Sequence, residues 1–171
     1  NETSLAFSYF EKSNLLNLKN KNNEIDKNKF LNEIKKRINF FEKTSEFKPF
    51  SSTSLSRNKP IFMFGVPRSG TTLLDTILRS HPMIEVVEEK PAINNMINSL
   101  NKLSESYLEK NFDIDEKKID AIIAEYTQEI KSYTKNPDPH KIYIDKLPLN
   151  IIYIAEIQKI FPQAKFIISL R

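Results

Sequence analysis

Residues 4–19, SLAFSYFEKSNLLNLK, place Leu5, Phe7, Tyr9, Phe10, Leu15 and Leu18 at roughly helical recurrence, which predicts a first helix. Asp26 is set to cap a second, KNKFLNEIKKRINFFEK, in which Phe30, Ile34, Ile38 and Phe41 form an i, i+4 stripe. The two are expected to pack as a hairpin. Residues 44–60, TSEFKPFSSTSLSRNKP, hold seven Ser/Thr and two Pro and read as a linker. After Pro60 the texture changes. IFMFG is a short apolar run ending at glycine, the signature of a buried strand. TTLLDTILRSH follows as a helix closed by His81-Pro82. Two more helical patterns occupy residues 92–108, with Ile93, Met96, Ile97, Leu100 and Leu103, and 115–133, with Ile119, Ile122, Ile123, Tyr126 and Ile130. NPDPH at 136–140 is a turn cluster; KIYID at 141–145 is a second strand, PLNIIYIAEIQKIF a helix and AKFIISLR a third strand.

Strands alternating with helices predict an α/β fold with a parallel sheet flanked by helices, preceded by the helical hairpin. The expected organisation is a helical segment at 1–43, a linker at 44–59 and the α/β domain at 60–171. Three strands are few for such a sheet, and Arg171 falls on a strand end, so a fragment of a longer α/β domain is expected.

Composition narrows the chemistry. The 171 residues are 39% hydrophobic and 11% aromatic, enough to bury a core. A net charge of +4 is interspersed along helices and reads as solvated surface rather than a nucleic-acid patch; a small anion at one focused site needs no global excess. The absence of cysteine excludes disulfides, thiolate metal sites and thiol nucleophiles. His81 and His140 are the only histidines and read as structural, so no metal centre is expected. No apolar stretch approaches the roughly 18 residues of a membrane span, and a cytoplasmic location is expected, although the chain begins with Asn rather than Met.

Both glycines of the chain, Gly65 and Gly70, lie in FMFGVPRSGTTLLDTIL. A strand, then GVPRSGTT, then a helix is the arrangement of an anion cradle, in which loop amides and the helix dipole meet an oxyanion. Thr71 and Thr72 add hydroxyls, and Arg68 adds a fork able to grip two oxygens. The ATP-binding loop G-x-x-x-x-G-K-[ST] has the same glycine spacing, but Thr71 stands where its lysine reaches the β- and γ-phosphates. A cradle without that lysine suits a nucleotide with a shorter 5′ chain.

PIFMFGVPRSGTTLLDTILRSHP resembles the 5′-phosphosulfate-binding loop of sulfotransferases that use 3′-phosphoadenosine 5′-phosphosulfate (PAPS). It is most similar to the protein-tyrosine sulfotransferases and to bacterial sulfotransferases with N-terminal tetratricopeptide (TPR) repeats; AFSYFEKSNLLN looks like the second helix of a final TPR unit. The resemblance covers about residues 59–91 and 141–171, and the intervening helices only loosely. It implies that Pro67, Arg68, Ser69, Gly70, Thr71 and Thr72 hold the donor's 5′ end and that Arg171 grips the 3′-phosphate. It further implies Glu89, the second of the Glu88-Glu89 pair, as the base. Lys146, in YIDKLP, would steady the transferring sulfuryl group, with Arg68 and Lys146 as the cations of the step. PAPS is then the co-substrate, adenosine 3′,5′-bisphosphate (PAP) the product, and no metal is required.

Glu-Glu repulsion is expected to raise the pKa of one member of the pair. Asp145 replaces the family's Asn and is expected to pair with Lys146. Pro91 stands where the pattern has an Arg, which argues against a tyrosine in an acidic peptide as acceptor. The acceptor is expected to be a hydroxyl, with an amine as the second class, and the TPR-like helices offer a surface for a protein partner. Two alternatives stay open. One is a P-loop kinase or NTPase, which Asp145 after KIYI favours; the other is a non-catalytic TPR-type interaction protein.

Overall fold

The computed structural model describes residues 2–20, 27–43, 49–50, 59–103, 114–134 and 137–170. They fall into two compact units, residues 1–35 and 36–171. The chain opens with helices α1 (Glu2–Asn20) and α2 (Lys27–Lys43). The apolar residues of α1 are exposed, Phe7, Phe10 and Leu18 among them, and so are Phe30 and Ile38 of α2. Asp26, the expected cap, lies outside the described residues. In the second unit Arg37 is buried and donates through Nε to Glu156 at 2.9 Å.

Phe62, Met63 and Phe64 have no exposed surface, because their strand β1 (Ile61–Gly65) lies inside a sheet covered on both faces. The sheet order is β2-β3-β1-β4, with every pairing parallel. β2 is Ile84–Glu88, β3 Ile142–Lys146 and β4 Lys165–Ser169. Alternation along β1 sends Phe62 and Phe64 to one face and Met63 to the other. The first face carries α4 (Ala92–Leu103), α5 (Glu116–Ser132) and α6 (Ile154–Ile160), whose Ile93, Leu100, Ile119, Ile123 and Ile157 share a core with the two phenylalanines. Aromatic rings tile it: Phe62 lies 6.0 Å from Phe166, and Tyr126 5.2 Å from Phe161. On the second face Met63, Val86 and Ile144 meet Leu74 and Leu78 of α3 (Thr71–Arg79).

The three expected strands are thus joined by a fourth, β2, whose five residues include Glu85 and Glu88 and hide its strand character from an apolar count. The single helix expected after Lys146 divides into a 3-10 helix, Pro148–Tyr153, and α6; Pro148 opens the first, at a position where a missing N–H forfeits no helical hydrogen bond. α4 ends at Leu103; residues 104–108 of the expected helix lie outside the described residues. α5 begins where the periodicity places it, and the Asp115 side chain caps it by accepting from Lys117 N at 2.9 Å. Within the Ser/Thr-rich stretch Phe50 is buried, and its N–H donates to the Lys159 carbonyl at 3.0 Å.

Candidate active site

Ligands of open parallel sheets collect beyond the carboxyl ends of the strands, where the connection order changes direction. Here β1 lies between β3 and β4, so the loop that follows it is flanked by the ends of both. Met63 pairs with Lys146 on one side and Gly65 with Ser169 on the other. Across the next strand pair, Lys146 is in register with Glu88. The loop 66–70, Lys146 and the Glu88-Glu89 pair therefore share one edge.

The loop is tightly folded. Ser69 N donates to the Val66 carbonyl at 3.0 Å, closing a turn over Pro67 and Arg68, so that amide is committed to the loop itself. Arg68 sits at φ 71 and is exposed; Gly70 sits at φ 93 and caps α3. The two glycines do different work. A Cβ on Gly65 would lie 2.5 Å from Ser69 Oγ and 2.8 Å from Thr71 Cγ2, whereas one on Gly70 would meet nothing nearer than Ser169 Oγ at 4.0 Å. Gly65 lets the loop fold back onto its own strand, and Gly70 supplies the left-handed residue. The β4 end fastens the loop, with Ser169 Oγ donating to the Ser69 carbonyl at 2.8 Å. Ser69 and Thr71 are buried, Pro67 and Thr72 exposed, and Ser69 Oγ is a buried polar atom with no hydrogen-bond partner. The first N–H groups of α3 have no helical carbonyl to meet, so the loop presents free donors beside Gly70, and Arg68 is exposed two residues before it.

Lys146 ends β3 on the α3 face, fully buried, with three carboxylates around it. Its Nζ lies 2.7 Å from Glu88 Oε1, 3.5 Å from Glu89 Oε1 and 3.7 Å from Asp75 Oδ2. Burial pulls the ammonium's pKa down, but the hydrogen bond to Glu88 and the charges of Glu88, Asp75 and Glu89 outweigh it and hold it above the ordinary lysine value. Glu88 answers in kind. The hydrogen bond from Lys146 holds its carboxyl below the usual range against the opposing effect of burial, with Lys146 and Arg79 adding charge. Glu88 is therefore not the member of the pair raised by Glu-Glu repulsion, because the Lys146 cation lies between the two. Glu89 sits at φ 50, its side chain 60% exposed, and its N–H donates to the Lys146 carbonyl at 2.7 Å. Among the described residues, Arg68 and Glu89 are the non-glycine residues with positive φ, a conformation costing about 1–2 kcal/mol.

Asp145 does not pair with Lys146. Successive strand residues face opposite ways, so Asp145 enters the α5 side and accepts from Tyr126 Oη at 3.0 Å. Burial pushes its carboxyl up to about 7, against the Tyr126 hydrogen bond and helped by the Glu129 charge. Its other oxygen, Oδ1, has no hydrogen-bond partner. A cavity of about 470 Å³ adjoins it, bounded also by Pro60, Tyr126, Ile130 and Phe161; the loop 66–72, Lys146 and the Glu88-Glu89 pair do not line it.

Asp75 and Arg79 are absent from the expected site residues, yet Asp75 is buried beside Lys146 and both its oxygens bind the Arg79 guanidinium. Their i, i+4 spacing was visible, but it is also the spacing of an ordinary surface pair. His81 and His140 remain exposed, His81 Nδ1 accepting from Met83 N at 3.2 Å and His140 N donating to Asp138 at 2.9 Å. Arg171 lies outside the described residues.

A family model described as the sulfotransferase family matches residues 60–171. The chain belongs to the sulfotransferase family. It is 33% identical over 116 residues to an uncharacterized protein of Aquifex aeolicus, covering 64% of this chain and 15% of that protein. Against protein-tyrosine sulfotransferase 1 of Danio rerio it is 32% identical over 115 residues, covering 65% of this chain and 32% of the relative. Against the protein-tyrosine sulfotransferase of Drosophila melanogaster the identity is 31% over 123 residues, with 69% and 24% covered. The sulfotransferase chain thus spans about a third or less of the length of these relatives. Among its described residues, no helix is long and apolar enough to cross a membrane, and no cluster of His, Asp and Glu is arranged to hold a metal ion.

Proposed function

We propose that this edge of the sheet binds PAPS and transfers its sulfuryl group to an acceptor hydroxyl, with an amine as the second acceptor class. The observation that carries the proposal is the convergence of the Arg68–Thr72 loop, Lys146 and Glu89 at the ends of adjacent parallel strands. The residues fit such a donor. Gly70 adopts a left-handed conformation at the start of α3, Ser69 Oγ is buried without a partner, Lys146 lies at the adjacent strand end and Arg68 is an exposed residue of the loop.

Arg68, the loop amides and the Thr71 and Thr72 hydroxyls would hold the 5′-phosphosulfate, the α3 dipole contributing about 0.3–1 kcal/mol. Arg171 would grip the 3′-phosphate with a bidentate fork. In the transfer step the acceptor oxygen forms a bond to sulfur while the bond from sulfur to the bridging phosphate oxygen breaks. Glu89 takes the acceptor's proton, and the electron pair leaves with the bisphosphate, whose developing charge Lys146 and Arg68 would stabilise. Nothing in this step calls for a metal, because side chains supply the cations.

The Danio rerio and Drosophila melanogaster relatives are named for action on tyrosine in protein. Pro91 in place of the pattern's Arg supports a different acceptor here. The same proposal takes residues 1–43 as a TPR-like helical segment offering a surface to a protein partner, 44–59 as a linker and 60–171 as the catalytic domain, in a cytoplasmic protein. The kinase reading loses the support it drew from Asp145, whose carboxylate is bound to Tyr126 on the other face of the sheet.

The intact protein, incubated with PAPS and a panel of phenolic, sugar and amine acceptors, is expected to release PAP only with a competent acceptor. Release of inorganic phosphate from ATP instead, dependent on Mg²⁺, would overturn the proposal.

A further inference from the structure

Three carboxylates surround Lys146, but they are not equivalent. Glu88 and Glu89 are 44% and 60% exposed and lie at the mouth of the edge, where either can turn to water. Asp75 is 4% exposed, rises from the second turn of α3 beneath the lysine, and has no such freedom. Arg79, one helical turn on, binds both Asp75 oxygens through Nε and Nη2, and its Nη2 also reaches Glu88 Oε2 at 3.3 Å. Hydrogen bonds to Asp75 together with the carboxylate charges hold the Arg79 pKa above its ordinary value, burial notwithstanding.

An anion arriving at the loop draws the Lys146 ammonium toward itself and competes with Glu88 and Glu89 for it. A buried ammonium left without a fixed counter-charge tends to shed its proton. We infer that Asp75, locked by Arg79, is a positioning residue that keeps Lys146 charged and aimed along the carboxyl edge while the mouth carboxylates exchange partners. Among the described residues, the charged groups paired with Lys146 are Asp75 from α3, Glu88 from β2 and Glu89 from the residue after it, with Arg79 behind Asp75 and Glu88. The inference rests on the proposed donor site for its role in transfer, but the charge on Lys146 can be read without it.

The test uses the intact protein with Asp75→Asn, Asp75→Glu and, because Arg79 is the more exposed partner, Arg79→Gln. The Lys146 ammonium is titrated by NMR of protein carrying ¹⁵N-labelled lysine, and adenosine 3′,5′-bisphosphate is titrated into each protein over the same pH range. Asp75→Asn is expected to move the titration midpoint down by about one pH unit, with Asp75→Glu restoring it and Arg79→Gln falling between. Bisphosphate affinity in Asp75→Asn should match wild type at pH 7 and fall away at lower pH than in wild type, in step with the lowered midpoint. Unchanged midpoints in both Asp75→Asn and Arg79→Gln would overturn the inference, and if Asp75→Asn fails to fold, Arg79→Gln alone decides. A shifted midpoint in a protein whose wild type ignores the bisphosphate would refute the donor reading and uphold the hold of Asp75 on Lys146.

Discussion

Lys146 Nζ and Glu88 Oε1, 58 residues apart in sequence, meet at 2.7 Å because parallel pairing sets Glu88 beside Lys146 at the ends of β2 and β3. The contact ties two strand ends together at the edge where the loop opens. Glu88 has its folded pKa depressed, so the stability it contributes is present above the ordinary carboxylate range and is lost as pH falls through the folded value. Glu88→Gln should therefore unfold at lower temperature than wild type at pH 7, and the two curves should converge in acid. A gap of constant size down to pH 3 would show that the pair contributes nothing through charge.

Asp145 carries the opposite sign. Its pKa is raised from 3.8 to about 7, so the unfolded chain ionises first and stability falls as pH climbs between those values. At 1.36 kcal/mol per unit the full effect is about 4 kcal/mol. Asp145→Asn should match or fall short of wild type near pH 4 and exceed it increasingly up to pH 7, beyond which the difference levels off. Parallel stability curves in denaturant across that interval would contradict the burial argument.

The two glycines separate conformation from space. Gly65→Ala places a methyl 2.5 Å from Ser69 Oγ and 3.1 Å from the Ser169 carbonyl oxygen, a clash expected to cost about 1–3 kcal/mol and to displace the loop. Gly70→Ala meets only an ordinary contact with Ser169 Oγ at 4.0 Å and bears mainly the left-handed penalty of about 1–2 kcal/mol. Calorimetric titration with the bisphosphate should find binding abolished in the first variant and weakened in the second. Equal binding by both would mean that the fold-back of the loop is irrelevant to the ligand.

Glu89 is mostly exposed, so its removal tests chemistry with little structural interference. Glu89→Gln should lower the transfer rate by about 10²–10⁴-fold, the usual contribution of a general base, with thermal stability and bisphosphate affinity close to wild type. A full rate would assign the proton to another group.

Much of this was legible in the chain because the signals were local. IFMFG is apolar on both faces, and only a strand covered on both sides tolerates that; GVPRSGTT between it and a helix fixes the loop. The helical stripes of α4 and α5 became the buried residues of one core. What escaped depends on register. Nothing within IEVVEEK says that Glu88 will meet Lys146, or that Asp145 and Lys146, adjacent in sequence, will serve opposite faces of the sheet. Asp75 escaped for the same reason, since a carboxylate on an amphipathic helix acquires meaning only when β3 delivers a lysine to it.

The most direct measurement is a calorimetric comparison of adenosine 3′,5′-bisphosphate and ATP-Mg²⁺ binding to the intact protein and to Arg68→Ala. A PAPS site predicts preference for the bisphosphate, no requirement for Mg²⁺ and a marked loss of affinity in Arg68→Ala. Tighter, Mg²⁺-dependent ATP binding that survives Arg68→Ala would contradict it.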